Sequence, residues 1–172
     1  MKSLLYCLAL SCSFIAVSPE VHAQQKASIG CIDGAIRQQA QEMKDHYLKQ
    51  GFEVFRDAMI SMSSQEPYPV IVQLQKGMFY QVIFVGNALD SKLKMELLDG
   101  HDNKLDEKTA ERNREQPNYI SYSFTPEQSD TYMFLLMQKL KNKDMCGSFT
   151  ILQLKSDKKN ATVTPYQGEP AK

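Results

Sequence analysis

Residues 78–85, MFYQVIFV, are apolar on both alternating faces and determine the fold class of the chain. Their aromatic and β-branched side chains favour a β-strand. A strand that buries both faces needs a layer of protein on each side. Residues 131–137, TYMFLLM, have the same character. We therefore expect a β-sheet protein in which one sheet carries an additional covering layer.

Shorter strand patterns flank these two segments. Residues 92–98 alternate strictly, with Leu93, Met95 and Leu97 on one face and charged side chains on the other, as in a half-buried strand. Short strands separated by turns, without alternating helices, indicate an antiparallel β-sandwich. Further strands are predicted over 52–62, where a helix is the alternative, and over 70–74, 119–124 and 146–154.

One amphipathic helix is predicted over residues 31–49, before the first strand. Its apolar residues recur in steps of three and four, the period of a helix with one apolar face, at Ile32, Ile36, Ala40, Met43 and Tyr47. Gly51 follows where a left-handed residue can end the helix. We expect this helix to pack on the outer face of the sheet that holds both 78–85 and 131–137.

Three segments are predicted to lack regular structure. Residues 63–69 contain two prolines, which deny regular strand pairing. Residues 99–116 hold one large aliphatic residue, Leu105, and are expected to form a solvated loop. The tail over 156–172 is polar, and we expect it to be disordered.

The composition is that of an ordinary globular domain. The 172 residues include 20 basic and 20 acidic side chains, so the formal net charge is zero, which argues against nucleic-acid binding. No run of about 18 apolar residues exists, so we expect no transmembrane segment in the mature chain. One domain is expected over 24–155.

Residues 1–23 read as a secretory signal peptide. Lys2 precedes an apolar stretch over 4–17, and Val21-His22-Ala23 fits a cleavage site, so we expect the mature chain to begin at Gln24 and to be periplasmic or extracellular. A buried helix, a membrane anchor and a lipoprotein acylated at Cys12 are the alternatives. The shortness of the stretch and the apolar residues after Cys12 argue against them.

Cys31 and Cys146 are the cysteines that remain after cleavage. An even pair in an exported protein predicts one disulfide, with two buried free thiols as the alternative. A zinc site needs about four ligands, and only His46 and His101 could join the cysteines. We therefore predict no metal site and no cofactor.

An acidic segment offers oxygen ligands for calcium, at Asp99, Asp102, Asn103, Asp106 and Glu107. Its spacing departs from an EF-hand loop, because Lys104 stands at the sixth position, where glycine is required. Basic residues in the same segment neutralise its charge. A solvated loop is therefore preferred to a calcium site.

Few residues point to catalysis. His46 and His101 are expected on the surface, and the chain contains no Gly-x-Ser-x-Gly motif, so no catalytic residue is predicted. A pair of carboxylates that hydrolyses glycosides remains an alternative, although no particular pair stands out in the sequence. Tyr68 and Tyr119 are the candidates for an aromatic sugar-binding surface, with core or rim packing as the alternative.

Four stretches resemble the bacterial pre-peptidase C-terminal domain family, namely 74–80 (LQKGMFY), 97–100 (LLDG), 124–132 (FTPEQSDTY) and 147–151 (GSFTI). The resemblance implies a jelly-roll-like β-sandwich of the kind found as a non-catalytic accessory of secreted enzymes. Our leading hypothesis is an exported, non-catalytic β-sandwich that binds a protein or a cell-envelope component. A carbohydrate-binding module and a small secreted hydrolase are the alternatives.

Overall fold

The computed structural model describes residues 31, 33–87, 92–111, 118–139, 145–155 and 162–168. The predicted signal peptide over 1–23 lies outside them. Within these ranges the chain forms α1 (Gly34–Leu48), β1 (Phe52–Met62), β2 (Tyr68–Leu74), β3 (Tyr80–Val85), β4 (Lys92–Leu98), β5 (Lys104–Glu111), β6 (Tyr119–Phe124), β7 (Asp130–Lys139) and β8 (Met145–Leu154). The strand predicted over 52–62 is confirmed.

The strands form two antiparallel four-stranded sheets. The helix-side sheet has the order β1-β8-β3-β6, and the open sheet has the order β2-β7-β4-β5. Consecutive strands alternate between the two sheets except for β4 and β5, which pair with each other, and this order is the topology of a jelly roll. The predicted fold class, a mainly β jelly-roll-like sandwich with one helix on a sheet, is confirmed.

Two hydrophobic cores lie on the two faces of the helix-side sheet. The first fills the space between the sheets and includes Phe84, Phe134 and Phe149. The second lies between that sheet and α1 and includes Met43 and Ile83. Every residue of β3 is buried, because alternate side chains enter the two cores. This arrangement confirms the covering layer that 78–85 required.

The ends of α1 are fixed by local contacts. Asp33 is the N-cap, and its carboxylate accepts hydrogen bonds from the backbone N–H groups of Ala35 at 3.0 Å and Ile36 at 3.1 Å. Gly51 has a φ of 94°, a left-handed conformation that costs glycine little, and begins the turn into β1. The helix therefore begins three residues later than the sequence pattern suggested.

A disulfide joins Cys31, just before α1, to Cys146 in β8. The two Cα atoms are 5.5 Å apart, and the residues are separated by 115 positions in the sequence. The predicted pairing is confirmed. The bond fastens the start of the helix to the sheet that the helix covers.

The prediction that β3 and β7 share a sheet is wrong. The two strands lie in opposite sheets, and the second doubly buried strand of the helix-side sheet is β8. The sequence concealed this role because small polar residues, Ser148 and Thr150, face the helix. Thr150 is satisfied there by donating its hydroxyl proton to Asp57, at 2.6 Å. On β7 the residues between the buried ones are only half-buried.

The prediction of a solvated loop over 99–116 is wrong for Lys104–Glu111, which forms β5 and pairs with β4. An ion-pair ladder takes the place of apolar alternation, because Glu107 lies 2.9 Å from the Lys104 ammonium and 3.3 Å from that of Lys94. Charged residues of this kind are common on edge strands. Residues 112–116 lie outside the described ranges.

The loop predicted over 63–69 also ends early, because β2 begins at Tyr68. The carbonyl oxygen of Ile71 accepts a hydrogen bond from Arg56 at 3.3 Å, on the side away from β7. Backbone groups of alternate residues point the same way in an antiparallel strand, so Pro69 also faces the free edge. A proline there removes no ladder hydrogen bond.

The disorder predicted over 156–172 is wrong for residues 162–168, which lie extended against α1. Val163 and Tyr166 pack on the second core. Residues 156–161 and 169–172 lie outside the described ranges. In the described part of the chain, no helix is long and apolar enough to cross a membrane.

Candidate functional site

A cleft of about 440 Å³ opens at one end of the sandwich, between the turn that joins β4 to β5 and the turn that joins β6 to β7. We call it the end cleft. It is lined by Asp99, His101, Leu105, Phe124, Thr125, Glu127, Gln128, Asp130 and Tyr132.

Asp99 organises the first of these turns. One of its carboxylate oxygens accepts the backbone N–H groups of His101 and Asn103, both at 2.9 Å, and the other accepts the Asn103 side-chain amide at 3.0 Å. The hydrogen bonds from Asn103 are the largest cause that lowers the pKa of Asp99 below its usual value. The carboxylate therefore stays charged at neutral pH.

The second turn is held by the neighbouring turn between β2 and β3. The backbone N–H of Gly77 donates to the carbonyl of Pro126 at 2.9 Å, and that of Lys76 donates to the Ser129 hydroxyl at 2.9 Å. The Tyr132 hydroxyl donates to the carbonyl of Gln128 at 3.0 Å. These bonds fix the wall of the end cleft.

Two aromatic rings form an apolar part of the cleft wall. Phe124 and Tyr132 meet edge to face, with ring centroids 5.4 Å apart. Burial raises the pKa of Tyr132, and the negative charges of Asp130, Asp99 and Glu127 raise it further. Three carboxylates, two from the turns and one from the start of β7, therefore act on the Tyr132 hydroxyl.

Glycine at position 100 lets the two turns approach each other. A Cβ atom there would lie 3.1 Å from a carboxylate oxygen of Asp130 and 3.2 Å from the carbonyl oxygen of Thr131. That Asp130 carboxylate also accepts the N–H of Thr131 at 2.7 Å. A larger residue at position 100 would push the β4–β5 turn away from β7.

The end cleft is acidic and partly apolar. Its lining holds three carboxylates and an imidazole, and neither lysine nor arginine is among the residues that line it. Such a cleft can attract a cation to the carboxylates and place its apolar part against the aromatic rings. Hydroxyl groups of a sugar could also donate to the same carboxylates.

The residues considered as calcium ligands, an alternative to the preferred solvated loop, are not brought together into one site. Both carboxylate oxygens of Asp99 accept hydrogen bonds within its own turn. On β5, Asp106 forms an ion pair with Lys108 at 3.0 Å, and Glu107 forms one with Lys104. Across the described ranges, no group of three or more histidine, cysteine or acidic residues is placed to hold a metal ion.

The other candidate residues do not form one site, and of them only His46 and Tyr119 lie near each other, since both rings contact Tyr166. His101 lines the end cleft, whereas His46 lies near the end of α1, with Nε2 2.9 Å from the carbonyl oxygen of Thr164. Tyr68 packs partly buried on the first core, and Tyr119 packs on the second.

Sequence reasoning missed six of the nine residues that line the end cleft, namely Phe124, Thr125, Glu127, Gln128, Asp130 and Tyr132. They belong to the stretch 124–132, FTPEQSDTY, which was singled out only for its resemblance to a family. Aromatic residues on both sides of an acidic turn were the signal that could have identified them.

Comparisons with known proteins add no assignment. No family model matches the chain, and no curated protein matches it. Solved structures that resemble it include a CBM4 carbohydrate-binding module (13% identity, 61% of this chain and 79% of that one, TM-score 0.39). Another is the copper-binding surface protein CorA of Methylomicrobium album BG8 (8% identity, 54% and 92%, TM-score 0.38). A third contains accessory secretory proteins of Streptococcus pneumoniae (17% identity, 61% and 87%, TM-score 0.37).

Proposed function

We propose that the protein is an exported, non-catalytic binding protein whose end cleft takes a positively charged group of a protein or cell-envelope component. The observation that carries this proposal is the charge of the cleft. The carboxylates of Asp99, Glu127 and Asp130 surround an aromatic wall. No lysine or arginine is among the residues that line the end cleft.

The expected strength of these contacts favours a large partner over a free amine. A partly exposed ion pair and a cation–π contact each contribute about 1 kcal/mol. The binding free energy from two or three such contacts is smaller than the value that a millimolar dissociation constant requires, which is about 4.1 kcal/mol. A partner that also contacts the surface around the cleft gains the remaining affinity.

The charge state of Asp99 supports a binding role for this residue rather than proton donation. A glycosidase needs one carboxylic acid whose pKa is raised, so that it can donate a proton. Hydrogen bonds from Asn103 lower the pKa of Asp99, so this carboxyl group of the end cleft stays charged and is not such an acid. Generic ester, peptide and glycoside substrates test this point, since turnover of any of them would contradict a non-catalytic role.

Export is supported by two separate features. The segment over 1–23 has the pattern of a signal peptide, and the Cys31–Cys146 disulfide suits an oxidising compartment. The resemblance to the pre-peptidase C-terminal domain family remains a proposal that agrees with a non-catalytic accessory role.

A titration with tetralysine, followed by NMR, tests the proposed ligand class. We expect the signals of 99–105 and 124–132 to shift in the wild type, and the shifts to disappear in the double variant Glu127→Gln/Asp130→Asn. Glu66→Gln is the matched control, because it removes one charge before β2, outside the residues that line the cleft. Unchanged shifts in the double variant would rule out the end cleft as the site.

A neutral oligosaccharide is the second candidate ligand, because the half-buried Phe124 offers aromatic surface beside hydrogen-bond acceptors. Salt distinguishes the two classes. Binding of a cation weakens as the Debye length falls from about 10 Å at 0.1 M salt to about 3 Å at 1 M, whereas binding of a neutral sugar changes little. Salt-insensitive binding on a glycan array would favour the sugar.

A further inference from the structure

Residues 162–168, TVTPYQG, lie extended beside α1. The side chain of Gln50 both accepts a hydrogen bond from the backbone of this segment and donates one to it. The Gln50 side-chain carbonyl accepts the N–H of Thr164 at 2.7 Å, and its amide donates to the Thr164 carbonyl at 3.1 Å. A neighbouring β-strand would make the same pair of bonds, which is how extended peptides are commonly recognised.

Two tyrosines repeat this recognition two residues further on. The Tyr47 hydroxyl accepts the N–H of Tyr166 at 3.3 Å, and the Tyr119 hydroxyl donates to the Tyr166 carbonyl at 3.3 Å. Alternate residues of the segment, Thr164 and Tyr166, thus have both backbone groups satisfied by side chains of α1, β6 and the turn after α1.

Side chains add selectivity to this backbone contact. The Tyr166 ring packs edge to face on His46 at 5.6 Å and on Tyr119 at 5.7 Å. Val163 packs on the same core, three positions before Tyr166. Pro165 stands between them, and its fixed φ favours an extended backbone before binding.

The segment is held without deep burial. Its side chains over 162–168 are exposed or half-buried, unlike those of the strands beneath. The segment is therefore held by hydrogen bonds and by the side chains of Val163 and Tyr166, contacts that a second peptide could make in its place. The residues that make them are distinct from those that line the end cleft.

We propose that the groove formed by His46, Tyr47, Gln50 and Tyr119 is a peptide-recognition site. The chain's own residues 162–168 fill it, and an extended, uncharged segment of a partner protein can take their place. That partner segment carries a tyrosine three positions after a β-branched residue. A tethered segment competes at an effective concentration of about a millimolar, so the wild type resists exchange.

A labelled peptide with the sequence of residues 162–168 tests the proposal on the full chain. Tyr166→Ala weakens the internal competitor, and we expect this variant to bind the peptide at least about tenfold more tightly than the wild type. Gln167→Ala, a change at an exposed neighbour, is the matched control and should bind as the wild type does. Adding Gln50→Ala to Tyr166→Ala should abolish the gain.

Two results would overturn the proposal. One is a folded Tyr166→Ala variant that binds the peptide no better than the wild type. The other is equal binding of a peptide whose tyrosine is replaced by alanine. A measurement on the wild type makes the test independent of any variant: unlabelled peptide at millimolar concentration should shift the NMR signals of Thr164 and Tyr166 in labelled protein.

Discussion

Asp99 is the residue on which the β4–β5 turn depends. Its carboxylate gathers three N–H groups of the residues that follow, and the turn places His101 and the carboxylate itself at the end cleft. The sequence identified Asp99 only as a potential calcium ligand. Its role in the turn depends on the conformation of residues 100–103, including the left-handed Asp102, and composition does not reveal that conformation.

The lowered pKa of Asp99 predicts how acid affects stability. A carboxylate with a lower pKa in the folded state than in the unfolded state stabilises the fold at neutral pH. That contribution is lost as the pH falls below the ordinary aspartate value of about 3.9 and through the folded value. Asp99→Asn should therefore lower the melting temperature at pH 7 and have a smaller effect at pH 2, measured by calorimetry. An equal loss at both pH values would contradict this origin.

A buried pair of amides fixes α1 in register with the sheet. Gln39 and Asn118 exchange two hydrogen bonds at 2.8 and 2.9 Å, and Asn118 also donates to the carbonyl of Gly86 at 3.0 Å. Gln39→Ala leaves the Asn118 carbonyl oxygen without this partner, which should cost about 1–3 kcal/mol in urea unfolding.

Gln38→Ala is the control for that substitution. Gln38 is exposed on the same helix, and its side-chain amide donates to the exposed Glu42 at 3.0 Å. We expect its removal to change the free energy of unfolding by less than about 0.5 kcal/mol. Similar losses for both variants would mean that the buried pair contributes nothing specific.

At the level of elements, the hydrophobic pattern identified the strands in which apolar and polar residues alternate strongly. It missed the strand β5, whose side chains are mostly charged. β4 was predicted with its observed bounds because Leu93, Met95 and Leu97 alternate with charged residues. Its neighbour β5 was missed because ion pairs with β4, rather than apolar side chains, accompany its pairing. Such pairs are visible only when the partner strand and its register are known.

The disulfide predicts the order in which elements are lost. Closing a loop of this length stabilises the fold by about 4–5 kcal/mol in the chain-entropy model. This is comparable with much of a domain's total stability, about 5–15 kcal/mol. Reduction should lower the melting temperature, and α1 should loosen first, because it contacts the sheet on one face.

Circular dichroism separates the two effects, since the helix signal at 222 nm should fall before the near-ultraviolet signal of the buried aromatic residues. Cys31→Ser/Cys146→Ser should reproduce the reduced behaviour without reductant. An unchanged melting temperature after complete reduction would show that the bond does not contribute to stability.

For the whole molecule, the sequence revealed that a sandwich with an additional layer was required but not which strands share a sheet. Both 78–85 and 131–137 have two apolar faces, and periodicity does not distinguish a face under a helix from a half-exposed one. The jelly-roll order places β3 and β7 in different sheets. The strand that lies under the helix beside β3 is β8, whose small polar residues resemble those of a solvent-exposed face.

The placement of the acidic residues predicts that calcium does not stabilise the molecule. A site with a dissociation constant of about 10 µM would add about 2.7 kcal/mol at a ligand concentration a hundred times higher. Asp99 is engaged in its turn and Glu107 in ion pairs, so about 1 mM Ca²⁺ should leave the melting temperature unchanged. A rise of several degrees, reversed by a chelator, would contradict this expectation.

The Cys31–Cys146 bond also determines how far the molecule can be stretched. When force is applied through the two ends of the chain, the bond carries the load past everything between them, and the 115-residue span cannot lengthen. Only the segments outside it can be drawn out, by pulling residues 162–168 from α1 and then peeling the part of β8 after Cys146 from β1 and β3. In optical tweezers, reduction should add an extension of up to about 400 Å, the reach of the released span at about 3.6 Å per residue.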